Sequence, residues 1–424
     1  MTPAAPRRRG HVSWLKLTVQ LGAFVVILGI PDGILGVLWP SMRSTFHLPL
    51  DDLGALTIAS AVLYFAGGLI AVRVRARLGA PDAMVASCAV ALVGLVVWSG
   101  TPSWLLLLGA VAVLGGSRGV IDAVVNAEAA LEGGVRRLGL LHGSWAIGGT
   151  LGPLLVAAVL VWAHDWRVAV VVVAAAVLVI TGVALVDRQR SGATEPAPEP
   201  SVGPWVPASL VPAESPERQG EPAGAAGQAV APADAAARPR LRLMLTLAAF
   251  VTYTAAESGP IAWGYTYLIY DRHSSRTLAA VGIACYWAAL MAGRFGLAAV
   301  DDRVAGPVIL EASCILMMVG TALFWLLPGS LSIVGLPVAG LGAAAVFPVL
   351  VALMPARLGT AATGHAVGLS IAAASIAGPT AVAAFGVLAA HLGVGALGAC
   401  LFGITPVLYI ANRTLSTATA GGTA

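Results

Sequence analysis

The stretch that decides the fold covers residues 111–126 and reads VAVLGGSRGVIDAVVN. It has the apolar character of a membrane-spanning helix, yet it contains Arg118 and Asp122. Together with Asn126, these residues recur at every fourth position, so a helix puts their side chains on one face. An ionisable group inside a spanning helix costs at least about 2.5–3.5 kcal/mol on insertion scales. Asp122 therefore marks a pathway or a relay through the membrane.

The composition of the whole chain indicates a membrane protein. Its 424 residues are 58% hydrophobic and 10% charged, whereas soluble domains carry about 25% charged residues. A spanning helix needs roughly 20 apolar residues. Twelve segments meet this requirement, at approximately 15–39, 53–73, 81–100, 103–127, 138–162, 166–187, 241–268, 277–300, 305–327, 331–354, 363–390 and 393–412. We predict an all-α integral membrane protein with twelve transmembrane helices.

Arginine and lysine are distributed unequally between the two sides of this arrangement. With the N-terminus in the cytoplasm, eighteen of them fall in inside segments and four in outside loops, namely Arg43, Arg167, Arg272 and Arg276. Because cytoplasmic loops carry the excess of positive charge, both termini are expected to be cytoplasmic. The net charge of +4 follows from this bias and does not indicate nucleic-acid binding.

Residues 188–240 interrupt the apolar pattern. They contain ten prolines, many alanines and glycines, and charges of both signs. Such a composition does not bury enough apolar surface to fold alone. We predict a disordered cytoplasmic linker at 188–240, between an N-terminal six-helix half at 1–187 and a C-terminal six-helix half at 241–424.

The two halves echo each other weakly. The fifth and eleventh predicted helices contain His142 and His365, and each histidine is followed along its helix by a Gly-Pro pair. The first and seventh helices carry Asp32 and Glu257 late in their spans. Two sets of six helices with such weak internal similarity are typical of a transporter built from parallel repeats.

This organisation resembles the major facilitator superfamily. The resemblance implies two pseudo-symmetric six-helix bundles. The signature loop of that superfamily, glycine-x-x-x-aspartate-arginine, is matched best by the run from Gly296 to Asp302 and Arg303, which is two residues longer than the usual spacing. The first-half copy, residues 68–77, has arginines but no aspartate. The resemblance implies a gating charge relay that includes Asp302 and Arg303.

A narrower resemblance is to the fucose:proton symporter family and its bacterial relatives of unknown substrate. It rests on the runs GIPDGILGVLWP at 29–40, GVIDAVVN at 119–126, LLHGSWAIGGTLGP at 140–153, YTAAE at 253–257 with Trp263, and GRF at 293–295. The resemblance implies that Asp32 and Asp122 are the proton- and sugar-linked pair of carboxylates. It also implies that Arg294 corresponds to the arginine in the eighth helix of that family.

Aromatic residues accompany the intramembrane carboxylate of Glu257. Tyr253 precedes it by one turn and Trp263 follows it, and aromatic side chains beside a carboxylate suit a binding wall. We therefore predict two sets of residues. The proton-coupling set is Asp32, Asp122 and Glu257, and the substrate-binding set is Asn126, His142, Trp145, Tyr253 and Trp263.

Two arginines leave alternatives open. Arg118 lies one turn before Asp122, so Asp122 is either a proton carrier or half of a permanent ion pair. Arg294 either pairs with Asp301 or Asp302 at a gate or faces the cavity. We assign Arg118 and Arg294 to the gating charge relay.

The chain has no sequence features of an enzyme. It lacks a phosphate-cradling loop, metal-ligand spacing and a supported Ser/His/Asp arrangement, and we expect no cofactor. Without a nucleotide site, an ion gradient must drive uphill transport, and the buried carboxylates favour protons. We predict proton-coupled symport of a small organic solute, sugar-like or amphipathic, by alternating access. Its expected partners are the solute, protons and lipid, and we expect a monomer in the plasma membrane of a bacterium.

Two other functions stay open. Gly148, Gly152 and Pro153 resemble the first half of the antiporter motif of drug-exporting facilitators, which favours proton-driven export of a hydrophobic or amphipathic compound. The other function is a receptor or scaffold that does not transport. Asp32 and the polar face of the fourth helix argue against it, because a scaffold has no need of buried charge.

Overall fold

A computed structural model of the chain describes residues 14–132, 134–191, 233–300 and 304–420. These residues form α-helices joined by short turns, and no strand occurs among them. The helices are α1 Trp14–Phe46, α2 Leu53–Leu78, α3 Ala80–Gly100, α4 Trp104–Glu132, α5 Gly134–Trp162, α6 Trp166–Ser191, α7 Ala233–Tyr270, α8 Arg276–Val300, α9 Gly306–Leu326, α10 Gly335–Ala352, α11 Met354–Leu358, α12 Thr360–Leu392 and α13 Ala396–Ala420.

Twelve of these helices are long, and they correspond to the twelve predicted spans. Within the described residues, eleven helices are both long and apolar enough to cross a membrane. The twelfth, α7, has 38 residues and is less apolar because it carries Glu257 and several arginines at its start. The predicted fold class is confirmed: α1–α6 form the first bundle, and α7–α10 with α12 and α13 form the second. The short α11 was not predicted.

The helices next to the predicted linker are longer than expected. The helix α6 continues to Ser191 and α7 begins at Ala233, so both enter the range 188–240. Residues 192–232 lie outside the described part of the chain. The division at 187 and 241 therefore stays a prediction.

Close packing inside the first bundle depends on glycine. A Cβ added to Gly119 of α4 would lie 2.0 Å from the carbonyl oxygen of Tyr64 on α2, and one added to Gly29 of α1 would lie 1.9 Å from the carbonyl oxygen of Trp145 on α5. Larger residues at these positions would separate the helices. The glycines therefore bring α2 against α4, and α1 against α5.

Among the described residues, the two bundles contact each other mainly where α5 meets α8, α1 meets α7 and α2 meets α12. At the end of the protein that carries the turn between α1 and α2, a Cβ on Gly54 would lie 2.7 Å from the Cα of Ala383. A Cβ on Gly36 would lie 2.6 Å from the carbonyl oxygen of Ala262. The bundles are therefore closed against each other at this end.

Candidate transport site

Arg118 of α4 reaches α1. Its Nη2 donates to Oδ2 of Asp32 at 2.6 Å and to the carbonyl oxygen of Leu28 at 2.7 Å. Pro31 precedes Asp32 inside α1. The arginine side chain is 11% exposed and that of Asp32 is 31% exposed. Asp32 is therefore the accessible partner of an ion pair that joins two helices.

Asp122 has neutral partners. Its Oδ2 accepts a hydrogen bond from the hydroxyl of Tyr64 on α2 at 2.7 Å, and its Oδ1 accepts one from Nδ2 of Asn126 at 3.0 Å. Asn126 also donates to the backbone carbonyl of Asp122 at 2.9 Å. The ion pair considered between Arg118 and Asp122 is replaced by the pair of Arg118 with Asp32.

Glu257 of α7 faces Arg294 of α8. Its Oε1 lies 3.5 Å from Nη2 of Arg294, and the two side chains are 14% and 17% exposed. Tyr286 of α8 donates to the backbone carbonyl of Glu257 at 3.3 Å. Arg294 thus faces the interior in the second bundle, and its alternative partners Asp301 and Asp302 lie outside the described residues.

Trp145 of α5 joins the two ion pairs. Its Nε1 donates to Oδ2 of Asp32 at 3.0 Å, and the guanidinium carbon of Arg294 lies 5.3 Å from the centre of its ring. An arginine within about 6 Å of an indole ring is attracted to its face. We call Asp32, Arg118, Trp145, Glu257 and Arg294 the central charge network. It extends from the first bundle to the second.

Three buried polar atoms at this network lack a hydrogen-bond partner. They are Nε of Arg118, Oε1 of Glu257 and Nε1 of Trp287. Trp287 is in edge contact with Trp145, with ring centres 4.7 Å apart. Buried polar atoms are normally hydrogen-bonded, so the two N–H groups are available to a bound molecule. Oε1 of Glu257, whose ion pair with Arg294 is long at 3.5 Å, can accept a hydrogen bond as well. Together with two indoles, these groups suit a small solute that has both polar groups and an apolar face.

Two of the predicted substrate-binding residues take part in helix packing. The hydroxyl of Tyr253 donates to the carbonyl oxygen of Ala343, and Nε1 of Trp263 donates to that of Val382 at 2.9 Å. Both side chains are buried, and their polar atoms are already used. Trp263 is therefore not part of the central charge network, whereas the hydroxyl of Tyr253 also interacts with the carboxylate of Glu257. The binding role of both residues stays a prediction.

Three predicted site residues are not described by the structure. Asp302 and Arg303 lie outside the described residues, and for His142 only the backbone, within α5, is described. In the first half, Arg75 in the degenerate signature loop pairs with Glu128 of α4, with Nη2 and Oε1 2.7 Å apart. An ion pair between α2 and α4 thus occurs where the aspartate of the motif is missing.

Two residues of the site, Tyr64 and Trp287, are not predicted by the sequence. Tyr64 carries the one polar side-chain group in the stretch 61–72 of α2, and a hydroxyl in such a stretch is a signal that it has a buried partner. Trp287 follows Tyr286 in α8 and has no charged neighbour in sequence, so its contact with Trp145 is what reveals its place. The described residues contain no cluster of His, Cys, Asp and Glu that suits a metal ion.

The fold and the site define a multi-pass membrane protein in which charged side chains meet between two helical bundles. The chain belongs to the Major Facilitator Superfamily, whose profile matches residues 21–382. It therefore has the fold of a secondary transporter and is not an enzyme. No curated protein matches the chain significantly.

Solved structures of transporters share this fold. A mutant of the nucleoside transporter NupG is 13% identical with a TM-score of 0.70, over 94% of this chain and 99% of NupG. FucP in its outward conformation is 16% identical with a TM-score of 0.55, over 94% and 98%. A bacterial homologue of the lysosomal transporter Spinster, inward-facing and unoccupied, is 14% identical with a TM-score of 0.63, over 95% of both chains.

Proposed function

We propose that the chain is a proton-coupled symporter of a small organic solute, sugar-like or amphipathic, that works by alternating access. One observation carries this proposal. Asp122, a half-buried carboxylate with neutral partners, lies on the same helix as Arg118, which belongs to the central charge network. Coupling requires that protonation and solute binding influence each other, and a helix that carries both sites offers a direct connection between them.

Asp122 is the proton carrier in this proposal. Tyr64 and Asn126 donate to its carboxylate, so its protonation leaves no buried arginine without a counter-ion. Protonation of Asp32 or Glu257 would instead leave Arg118 or Arg294 unpaired, and an unpaired buried charge is strongly unfavourable. These two ion pairs therefore bind the solute and each hold two helices of one bundle together, rather than carry the proton.

The solute binds at the central charge network. Trp145 and Trp287 offer aromatic surface. Nε of Arg118 and Oε1 of Glu257, which have no hydrogen-bond partner, offer one donor and one acceptor. A bound solute that pairs with these atoms competes with the contact between Trp145 and Arg294. Since this contact joins α5 to α8, its replacement by contacts to solute is a means of releasing the bundles from each other.

The orientation and surroundings of the protein are part of this proposal. We place it as a monomer in the plasma membrane of a bacterium, with both termini in the cytoplasm and residues 188–240 as a cytoplasmic linker between the two halves. The closed end near Gly54 then faces outside. Neutralisation of Asp122 lowers the cost of enclosing it in a dry cavity during the transition.

The direction of coupling is tested with purified protein in liposomes that contain a pH-sensitive dye. Fucose, uridine or tetraphenylphosphonium is added outside, without an imposed gradient. Symport predicts that one of these solutes acidifies the lumen, and that Asp122→Asn abolishes the signal. Asp165→Asn is the matched control, because Asp165 is exposed and caps the backbone of Arg167. Solute entry without acidification would refute proton symport.

Proton-driven export is the second candidate, and it predicts that the same solute makes the lumen alkaline. The glycines whose spacing resembles the antiporter motif take part in helix packing in the structure. A Cβ on Gly148 would lie 2.2 Å from the carbonyl oxygen of Val26, and one on Gly152 would lie 2.8 Å from Cγ2 of Ile34. These glycines bring α5 against α1, so their spacing does not separately favour export.

A further inference from the structure

A second polar site lies apart from the central charge network. A cavity of about 270 Å³ opens where α7 and α12 begin, beside the short helix α11. Among the residues whose side chains the structure describes, its polar lining consists of Arg240, Arg242, Arg357 and His365. No carboxylate is present in that lining, so the cavity is basic.

Arg357 is the buried member of this site. It is 5% exposed, and its Nη2 donates to Oδ1 of Asn412 at 2.8 Å. Its Nη1 is buried without a hydrogen-bond partner. Burial lowers the pKa of the Arg357 guanidinium from its ordinary value, and no carboxylate opposes this effect. A buried cation of this kind lacks the anion that would stabilise it.

The rest of the surroundings is apolar. Leu243 and Leu358 line the cavity, while Leu241 and Met244 on the first turns after Arg240 are 54% and 70% exposed. Exposed apolar residues at the start of a spanning helix face lipid. The cavity therefore brings together cationic groups and a lipid-facing surface at the edge of the membrane.

We propose that this cavity binds the phosphate headgroup of an anionic phospholipid. The phosphate lies among Arg240, Arg242 and Arg357, where guanidinium groups suit its oxygens. The acyl chains run along Leu241 and Met244. A soluble phosphate would use the same arginines but would leave this apolar surface without a partner, which is why the lipid is favoured.

The test uses the full-length protein in detergent, with native mass spectrometry and thermal unfolding. Dioleoyl phosphatidylglycerol is expected to bind and raise Tm, and dioleoyl phosphatidylcholine is not. The double variant Arg240→Gln with Arg242→Gln is expected to bind phosphatidylglycerol at least about tenfold more weakly. The single variant Arg240→Gln, at an exposed position, is expected to show the same change to a smaller extent.

The control is Arg73→Gln with Arg77→Gln, which removes two exposed charges at the end of α2. It is expected to bind phosphatidylglycerol like the unmodified protein. Equal weakening in both double variants would show only general surface charge and would overturn the site. Equal stabilisation by inorganic phosphate or glycerol 3-phosphate would assign the cavity to a soluble anion and overturn the lipid proposal. Absence of phosphatidylglycerol binding would also refute it.

Discussion

Arg118 donates to Asp32, 86 positions earlier in the chain, at 2.6 Å, whereas Asp122 on its own helix is held by Tyr64 and Asn126. Asp32 therefore faces a cation, whereas both partners of Asp122 are neutral. In the proposed mechanism, this difference assigns solute binding to the ion pair of Asp32 and proton uptake to Asp122.

Removal of one partner of this ion pair is expected to destabilise the protein. Arg118→Gln leaves Asp32 without a counter-ion. Loss of one partner of a fully buried pair costs about 3–5 kcal/mol, and a smaller loss is expected here because the Asp32 side chain is 31% exposed. The double variant Arg118→Gln with Asp32→Asn is expected to recover part of the loss, because it leaves no unpaired charge. Tm in detergent measures both effects.

Arg413→Gln breaks the exposed pair with Glu311 and is expected to change Tm little. A double variant no more stable than Arg118→Gln would contradict the pairing.

Trp145→Phe separates the two functions of the indole. Phenylalanine keeps a ring for Arg294 but loses the N–H that donates to Asp32. A hydrogen bond to a charged group contributes about 1.5–3 kcal/mol, so solute uptake into liposomes is expected to fall by roughly tenfold or more. Trp162→Phe, at the 80% exposed end of the same helix, is the control. Normal uptake by Trp145→Phe would show that the N–H is not required.

Asp122→Asn is expected to separate exchange from accumulation. The amide still fills the site between Tyr64 and Asn126 but does not carry a proton. Counterflow of labelled solute should continue, because exchange needs no net proton movement, whereas accumulation driven by a pH gradient should be lost. Tyr64→Phe removes one donor to Asp122 and is expected to weaken accumulation partially, while Tyr270→Phe at an exposed site should not. Loss of counterflow in Asp122→Asn would place Asp122 in solute binding instead.

Trp263→Ala is expected to change stability more than solute affinity. The indole is fully buried and bonds to the carbonyl of Val382, and truncation of a buried tryptophan costs about 3–5 kcal/mol. Trp263→Phe keeps most of the volume and should transport with an unchanged KM. A large rise in KM for Trp263→Phe, at unchanged Tm, would return Trp263 to the substrate site.

Gly54→Ala is expected to open the closed end. Its Cβ would lie 2.7 Å from the Cα and Cβ of Ala383 on α12, so α2 and α12 must separate there. The measurement uses a protein in which the four native cysteines are replaced by alanine and Asp51→Cys is introduced, since Asp51 lies beside Gly386. In this background, Gly54→Ala is expected to increase the rate of reaction with a membrane-impermeant maleimide several-fold. Gly68→Ala is the control, because a Cβ at that position has no heavy atom within 4 Å. Unchanged labelling in Gly54→Ala would mean that this contact does not hold the bundles.

The sequence by itself determined the class of fold and the places of the carboxylates. Hydropathy depends on local composition, so twelve apolar runs predicted twelve long helices whose positions the structure reproduces. Asp32, Asp122 and Glu257 stood out for the same reason, because a charge in an apolar run is visible without any partner. The prediction that Trp145 belongs to the site rested on resemblance and on its place in helix 5.

Only the tertiary structure decided which groups meet. The contacts of Arg118 with Asp32 and of Arg294 with Glu257 run between helices, and their geometry depends on how closely the backbones approach. Gly29 and Gly119 allow approaches that no larger residue permits, and these bring Trp145 to Asp32 and Tyr64 to Asp122. Helical periodicity puts Arg118 and Asp122 on one face. The long arginine side chain nevertheless reaches the neighbouring helix and pairs with Asp32.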